Sequence, residues 1–324
     1  MQKPALCRAL AQNLAVLQDR FGGSDDFYTK KLSVGGIRCA INPRLGRERD
    51  YNAAVLRRDG AGRCVPVIGG GPAGMQAAIV LVERGFRPIL FERRTYLGGS
   101  AVLASKAPCK GLVAEYIETQ KNQLAALGVQ VELNHAPTMA ELRRLDPYGV
   151  FVTMGGQQIV PDIPGIDREN VFGIEDVLLG RRAIEGREVA VIGGGHVGLE
   201  VAHFLCANNK VTIVEMADEI GASVYYITKF KLLPLLREAG VTFRTGQAIA
   251  AVDDGSIRLR DMHTGQCTEL KAEAVVLAMG SRPDLAARAA FDRNFDHVVY
   301  AGDAVRGGTM LEANRDAFAH AWEF

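Results

Sequence analysis

The distribution of apolar residues predicts short buried strands separated by amphipathic helices. Apolar runs of strand length occur in two pairs, at residues 65–68 and 89–91, and at residues 188–192 and 211–214. Each pair encloses a stretch of helical periodicity, residues 72–84 in the first and 197–206 in the second. Apolar strands joined by a helix are typical of buried parallel sheets, so the expected fold class is α/β.

The rest of the chain predicts further elements. Helices are expected at residues 111–127, 232–238 and 311–324, and buried strands at residues 129–133, 149–153, 274–279 and 298–301. Short alternating segments predict an antiparallel meander from residues 241–245, 248–252, 256–260 and 268–271. The Pro- and Gly-marked residues 161–176 predict a segment that crosses between two domains.

The first strand–helix–strand unit carries glycines with G-x-G-x-x-G spacing. Gly69 allows a tight turn, Gly71 lets backbone approach a pyrophosphate, and Gly74 lets the helix pack on the strand. The helix N-terminus then faces the phosphates with free N–H groups and its positive dipole end. Glu92 ends the second strand, where its carboxylate accepts hydrogen bonds from an adenosine ribose.

The same pattern occurs a second time, 124 residues later. Gly193, Gly195 and Gly198 repeat the spacing, and Glu215 ends the following strand. A single glycine fingerprint is weak evidence, but two copies in strand–helix–strand context decide the architecture. The expected fold is therefore α/β with two Rossmann-like dinucleotide-binding domains. Glu215 favours NADH, because a carboxylate there repels the 2′-phosphate of NADPH.

Composition excludes several function classes. The 324 residues carry a formal net charge of +1 and no basic run interleaved with aromatic residues, which argues against a nucleic-acid partner. No apolar stretch reaches the ~18–20 residues of a membrane span. The six cysteines include no C-x-x-C pair, which argues against a zinc site and a redox disulfide. The N-terminus is basic and Ala/Leu-rich but lacks a cleavage pattern, so a cytoplasmic protein is expected.

From Cys39 to Asp316 the chain resembles the C-terminal half of the 2,4-dienoyl-CoA reductase / NADH:flavin oxidoreductase family. These are barrel flavoenzymes related to old yellow enzyme and trimethylamine dehydrogenase. The matching motifs are both glycine fingerprints, CAINPRLGRE at residues 39–48, LGG at 97–99 with ASKAP at 104–108, IPGID at 163–167 and GDAV at 302–305.

The resemblance implies FAD on the first unit and a nicotinamide nucleotide on the second, which would be inserted into the first. The expected division is an irregular segment at residues 1–59, an FAD-binding domain at 60–157 and 273–324, and an NAD(P)H-binding domain at 158–272. The residues expected at the FAD site are Gly69, Gly71, Pro72, Ala73, Gly74, Glu92, Arg93, Gly98, Gly99, Gly302 and Asp303. Those expected at the nicotinamide nucleotide site are Gly193, Gly195, His196, Val197, Gly198, Glu215 and Gly280.

Two of these residues have alternative interpretations. Arg93 either neutralises a phosphate or faces solvent, and His196 is either a solvated turn residue or a ligand contact. No catalytic side chain is expected, because hydride transfer between two rings needs alignment rather than an acid or base.

The chain departs from the family in two respects. Members begin with a TIM barrel that carries FMN, and nothing here matches it. Members also hold a four-iron cluster through four cysteines, but the first three positions are Leu10, Asn13 and Leu17, and only Cys39 matches. No iron–sulfur cluster or other metal is therefore expected, because such a cluster needs four thiolates.

These features favour an FAD-dependent NADH oxidoreductase module that passes electrons to a partner flavoprotein subunit or a small acceptor. One alternative is a stand-alone diaphorase, and another is a non-catalytic subunit that binds ADP in the first site. Residues 1–59 are too polar to form a core of their own, yet they include a possible helix and scattered apolar side chains. Docking on a barrel-type FMN subunit, or self-association, is expected through this segment.

Overall fold

The computed structural model describes residues 38–324. Its strands, in chain order, are β1 Cys64–Ile68, β2 Arg87–Glu92, β3 Gln130–Leu133, β4 Val150–Val152, β5 Gly156–Gln158, β6 Val171–Gly173, β7 Glu188–Ile192, β8 Lys210–Val214, β9 Thr242–Arg244, β10 Gln247–Val252, β11 Ser256–Asp261, β12 Cys267–Lys271, β13 Ala274–Leu277, β14 Ser281–Pro283 and β15 Val298–Tyr300. Its helices are α1 Pro72–Glu83, α2 Ser100–Lys106, α3 Gly111–Ala126, α4 Met139–Arg144, α5 Ile174–Leu178, α6 His196–Leu205, α7 Tyr226–Glu238, α8 Leu285–Asp292 and α9 Met310–Glu323.

The first unit is a parallel sheet of strand order β15-β4-β1-β2-β3. Alternate residues of β2 enter different cores: Leu90 packs with α1 and α9 on one face, whereas Ile89 and Phe91 pack with α4 on the other. Both faces of this sheet are covered, which explains why its central strands are continuous apolar runs.

The second unit repeats this plan with a parallel sheet of order β6-β13-β7-β8-β9. One face of β7 packs against α6 through Val189 and Val191. The other face packs against the antiparallel sheet β10-β11-β12 through Ala190 and Ile192. The predicted α/β class with two Rossmann-like units is confirmed.

A two-stranded antiparallel ribbon, β5 with β14, joins the two units. Beside the ribbon, the side-chain amide of Gln158 donates to the Leu277 carbonyl at 2.7 Å. Leu103 on α2 packs against the core of the second unit, and Arg94 of the first unit forms an ion pair with Glu175 at the start of α5. The two nucleotide units therefore share packed and charged contacts besides the ribbon.

Residues 38–59 lie against α9. The Asn314 side chain donates to the Ala40 carbonyl at 2.6 Å, and the Tyr51 ring lies edge-on to Phe318 and Trp322. This part of the polar N-terminal segment is therefore held by the body of the chain. The possible helix and the cluster positions before residue 38 lie outside the described residues.

The structure corrects four sequence predictions. The strand at residues 274–277 lies between β6 and β7, so the return to the first unit comes after it and not at residue 273. Residues 242–244 pair parallel with β8 and do not belong to the meander. The strand predicted at residues 129–133 is an edge strand and is not fully buried. The crossing segment at residues 161–176 contains β6 and the start of α5.

Candidate dinucleotide sites

The first and third glycines of the first turn leave no room for a side chain. Gly69 has a φ of +108°, and a Cβ there would lie 2.4 Å from the Thr153 carbonyl oxygen. A Cβ at Gly74 would lie 1.9 Å from the carbonyl oxygen of Gly69. The third glycine is therefore required because α1 rests directly on the turn that precedes it.

Glu92 is fixed against this turn by backbone donors. Its Oε2 accepts the Gly70 N–H at 2.7 Å, its Oε1 accepts the Arg94 N–H at 2.8 Å, and the residue is 6% exposed. A Cβ at Gly70 would lie 2.4 Å from Leu97 and 3.0 Å from the Glu92 Cβ. Gly70 is a site residue that sequence reasoning missed, although the three consecutive glycines 69–71 were a usable signal.

The other residues expected at the first site lie beside the start of α1. The Gly98 N–H donates to the Gly70 carbonyl at 2.8 Å, and a Cβ at Gly99 would lie 3.0 Å from the Gly71 Cα. A Cβ at Gly302, whose φ is +65°, would lie 3.2 Å from the Ala73 Cβ. The structure therefore brings the predicted loops together from three separate parts of the chain.

Asp303 and Arg93 differ in how they relate to this site. Asp303 is half-buried, and its Oδ1 accepts the Gly308 N–H at 3.1 Å. Burial raises the pKa of Asp303 above its ordinary value, the Gly308 hydrogen bond opposes this, and Glu312 adds to the rise. Arg93 is exposed and forms no side-chain hydrogen bond or ion pair with residues 38–324, so its role stays a prediction.

The second turn reproduces this geometry. Gly193 has a φ of +108°, and a Cβ at Gly198 would lie 1.8 Å from the Gly193 carbonyl oxygen. Glu215 accepts the Gly194 N–H at 2.6 Å and the Ala217 N–H at 2.8 Å. Gly194 corresponds to Gly70 and was also missed, although glycines 193–195 are consecutive in the same way.

The strand end that carries Gly280 lies against this second turn. A Cβ at Gly193 would lie 2.5 Å from the Ala278 carbonyl oxygen, just as one at Gly69 would approach Thr153. Gly280 follows two residues later with a φ of +87° and open space where a Cβ would be. Both sites are thus formed at the carboxyl ends of parallel strands, where nucleotides bind in open α/β sheets.

The N-termini of the two nucleotide-site helices have no side-chain cap. Gly71 precedes α1 and Gly195 precedes α6, and neither can supply a capping oxygen. By contrast, the Thr138 side chain caps α4 and the Asp284 side chain caps α8. The first N–H groups of α1 and α6 are therefore available to phosphate oxygens. The residues present fit a dinucleotide at each site.

A charged cluster joins the second site to the first unit. The Lys110 ammonium lies 2.6 Å from the Glu200 carboxylate on α6, and Glu200 is 8% exposed. His196, the first residue of α6, has its Nε2 3.6 Å from the same carboxylate, while Val197 beside it is exposed. Sequence reasoning missed Lys110 and Glu200, because no local pattern links residues 90 positions apart.

The residues available to a metal are few. Among residues 38–324, no group of three or more His, Cys, Asp or Glu side chains has a metal-binding arrangement. Cys39 is buried, and the other expected cluster positions, Leu10, Asn13 and Leu17, lie outside the described residues. Within the same described part of the chain, no helix is long and apolar enough to cross a membrane.

Comparison with known proteins gives consistent results. Residues 64–297 match the family model described as pyridine nucleotide-disulphide oxidoreductase. The chain is 33% identical to an NADH oxidase of Thermoanaerobacter brockii over 89% of its own length and 44% of that protein. It is 25% identical to the NAD-dependent dihydropyrimidine dehydrogenase subunit PreT of Escherichia coli K12 over 75% of its length and 63% of PreT.

A solved structure of 2-naphthoyl-CoA reductase, in complex with 2-naphthoyl-CoA, superposes with a TM-score of 0.81 and 26% identity. The match covers 90% of this chain and 44% of that protein. The chain thus spans less than half the length of the NADH oxidase and of this reductase.

Proposed function

Because the chain belongs to the pyridine nucleotide-disulphide oxidoreductase family, we propose that it is an FAD-dependent NADH oxidoreductase module. It passes electrons to a partner flavoprotein subunit or to a small acceptor. The observation that carries this proposal is the pair of equivalent turns, each with a carboxylate fixed by backbone N–H groups and a helix without a side-chain cap.

Each residue at the first site has a binding task. The N–H groups at the start of α1 receive the pyrophosphate of FAD, and Glu92 receives the ribose hydroxyls with the lone pairs that Gly70 and Arg94 leave free. Gly302 lies next to Ala73 of α1, and Asp303 follows it in the chain. When bound, FAD supplies a carrier that accepts two electrons from a nicotinamide and releases them to an acceptor.

The second site orients the nicotinamide nucleotide. Glu215 receives the 2′-hydroxyl of NADH, and the start of α6 receives the pyrophosphate. Ring alignment is the chemical contribution of the protein, so no acid or base is required. The chain has no C-x-x-C pair, so a dithiol of that spacing does not carry electrons to its acceptor.

Transfer to a partner subunit is supported by the comparisons. The chain corresponds to less than half of the NADH oxidase, and another relative, PreT, is itself described as a subunit. In residues 38–324 no eight-stranded barrel is present, so an FMN-bearing barrel would have to come from another polypeptide or another part of a longer protein.

The identity of the bound nucleotide tests the proposal most directly. We expect the purified chain to show the visible absorption of an oxidised flavin, and heat extraction followed by chromatography should release FAD. NADH should bleach this absorption anaerobically and should reduce an artificial dye. Release of ADP without flavin would overturn the proposal in favour of a non-catalytic subunit. Turnover with soluble quinones as fast as with any protein acceptor would favour a stand-alone diaphorase.

A further inference from the structure

The region that precedes the first strand carries a strong positive charge. Residues 38–63 contain seven arginines and three acidic residues, although the whole chain has a net charge of +1. The contacts of these residues place several of them along the outer side of α9. We call the arginines in this row the arginine face: Arg38, Arg44, Arg47, Arg57 and Arg315.

Arg44 and Arg57 have contacts that explain their positions. Arg44 forms a 2.6 Å ion pair with Glu83 and lies over the rings of Phe318 and Trp322. Arg57 donates to the carbonyl oxygen of Glu323 at 3.0 Å, at the end of α9, where a cation complements the helix dipole. These two arginines fasten the N-terminal segment to the helix.

Arg47 and Arg315 have no such explanation. Arg47 is exposed and its guanidinium lies 4.3 Å from the Tyr51 ring centre, whereas Arg315 is half-buried on α9. Neither forms an ion pair with a carboxylate of residues 38–324. Burial, followed by the charges of Arg38 and Arg47, lowers the pKa of Arg315. Among the described residues, Arg47 and Arg315 have no carboxylate partner, so an external anion would relieve the repulsion between their guanidinium groups.

The shape of the face indicates the kind of anion. A cavity of about 150 Å³ lies next to it between α1, α3 and residues 41–44, but neither Arg47 nor Arg315 lines that cavity. The exposed Arg47 and the half-buried Arg315 thus lie outside this cavity, on a surface that suits a macromolecule better than a small ion. The rings of Tyr51, Phe318 and Trp322 are at most 8% exposed, so they cannot stack on nucleic-acid bases.

We propose that the arginine face docks an acidic surface of the flavoprotein that accepts electrons from this module. The proposal rests on the function proposed above, because it names the surface through which that partner binds. The two electrons and one proton of NADH, with a second proton from water, reduce one flavin of the partner to its two-electron form. The attraction between the complementary charges would steer the two proteins together, and salt would weaken this attraction.

A pair of matched variants tests binding at the arginine face. The probe is purified flavodoxin, which is an acidic protein that carries FMN. The double variant Arg47→Glu/Arg315→Gln changes the net charge by the same amount as the control Arg258→Glu/Arg260→Gln on β11. Titration calorimetry at low salt should show that flavodoxin binds the wild-type chain. The first double variant should raise the dissociation constant tenfold or more, whereas the control should change it less than twofold. Binding should also weaken steeply as salt is raised.

Separate readouts distinguish the possible failures. Equal binding by both double variants, or no binding of flavodoxin at low salt, would overturn the docking proposal. Stronger competition by a DNA duplex or by anionic vesicles than by flavodoxin would overturn it as well, because the surface would then be a general polyanion site. The melting temperatures of the variants show whether either has a folding defect. If the first double variant has one, flavodoxin binding by the single variant Arg47→Gln tests the proposal instead. NADH-driven dye reduction, measured on the same proteins, reports on the proposed function alone and should be unchanged.

Discussion

At the residue scale, the third glycine of each motif, Gly74 or Gly198, allows each nucleotide site to be disrupted separately. A Cβ at Gly74 or Gly198 would overlap a backbone carbonyl oxygen at 1.9 or 1.8 Å, which the turn cannot relieve by rotating a side chain. Such overlap costs about 1–3 kcal/mol or more and displaces the helix that receives the phosphates. We expect Gly74→Ala to lose flavin, and Gly198→Ala to keep flavin but lose its reduction by NADH.

The control for this pair is Gly111→Ala, at the first residue of α3, where a Cβ would meet nothing within 4 Å. It should retain flavin and NADH-dependent reduction, because alanine is the better helix former. The flavin content and the anaerobic bleaching of each purified variant are the measurements. Full flavin occupancy in Gly74→Ala would show that α1 does not carry the flavin phosphates.

We expect Glu215 to determine the choice between NADH and NADPH. Its carboxylate is held by the Gly194 and Ala217 N–H groups, so it cannot swing away from a 2′-phosphate. We expect the wild-type chain to prefer NADH by about 5–150-fold, equivalent to about 1–3 kcal/mol. Glu215→Gln keeps one oxygen for Gly194 but removes the charge, and should narrow the ratio of the two kcat/KM values. Equal kcat/KM values in the wild-type chain would contradict this role.

The site could be predicted from sequence wherever its residues are close together along the chain. Gly69, Gly74 and Glu92 belong to one local motif, and the structure gives each of the first two the steric reason that the motif implies. Lys110 and Glu200 could not be found in this way, because their contact depends on how two separate units pack. Asp316 was also missed: its Oδ2 accepts the Gly302 N–H, a contact between residues 14 positions apart that no local motif contains.

At the scale of elements, Asp316 and His320 of α9 form a pH-dependent pair beside Gly302. The His320 Nδ1 lies 3.3 Å from an Asp316 carboxylate oxygen. The hydrogen bond to Asp316 raises the pKa of His320, and burial opposes it. Burial acts to raise the pKa of Asp316, but the hydrogen bonds from His320 and Gly302 outweigh it and the pKa is lowered. The protonated histidine and the ionised aspartate therefore stabilise each other.

The sign of the pH dependence follows from these directions. The stabilisation that His320 contributes is present below its ordinary pKa of 6.5 and is lost as pH rises through the raised value. That of Asp316 is present above its ordinary pKa of 3.8 and is lost as pH falls through the lowered value. We expect His320→Gln to lower the melting temperature near pH 5.5 more than near pH 8.5. An equal loss at both pH values would show that the pair does not contribute through its charge.

The elements themselves were predictable in proportion to how completely they are buried. Strands β1, β7 and β13 are central, and their unbroken apolar runs identified them. The edge strand β9 was assigned to the wrong sheet, because its alternation resembles that of the neighbouring meander strands although it pairs parallel with β8. Pattern alone specifies that a segment is a strand, whereas its partner is decided by tertiary packing.

At the scale of the whole molecule, the Lys110–Glu200 ion pair links the two units. Glu200 is nearly buried, so Lys110→Met would leave a desolvated carboxylate without its cation, at a cost of about 1–3 kcal/mol. The double variant Lys110→Met/Glu200→Gln removes the charge as well and should recover part of that loss. Denaturant unfolding measures the free energy of unfolding of the single and double variants. Additive losses would show that the two residues do not interact in solution.

At the same scale, the two nucleotide units of the described residues decide which reactions we expect of the purified chain. In the family that the chain resembles, an activated C=C bond is reduced at an FMN in a barrel, with a proton donor on the barrel loops. From residue 60 onward the two nucleotide units and their meander account for the described chain, and its parallel sheets have five strands each. We therefore expect the purified chain to reduce a dye with NADH, yet to leave enone and enoyl-CoA substrates unchanged.

Both reactions should be followed in the same anaerobic preparation, with dye reduction as the proof that the flavin is functional. Consumption of NADH and formation of the saturated product are then measured with each unsaturated substrate. Adding an acidic FMN protein that docks on the arginine face should raise NADH oxidation, because electrons then leave the module through its partner. Formation of a saturated product by the pure chain alone would show that the module carries its own substrate site and proton donor.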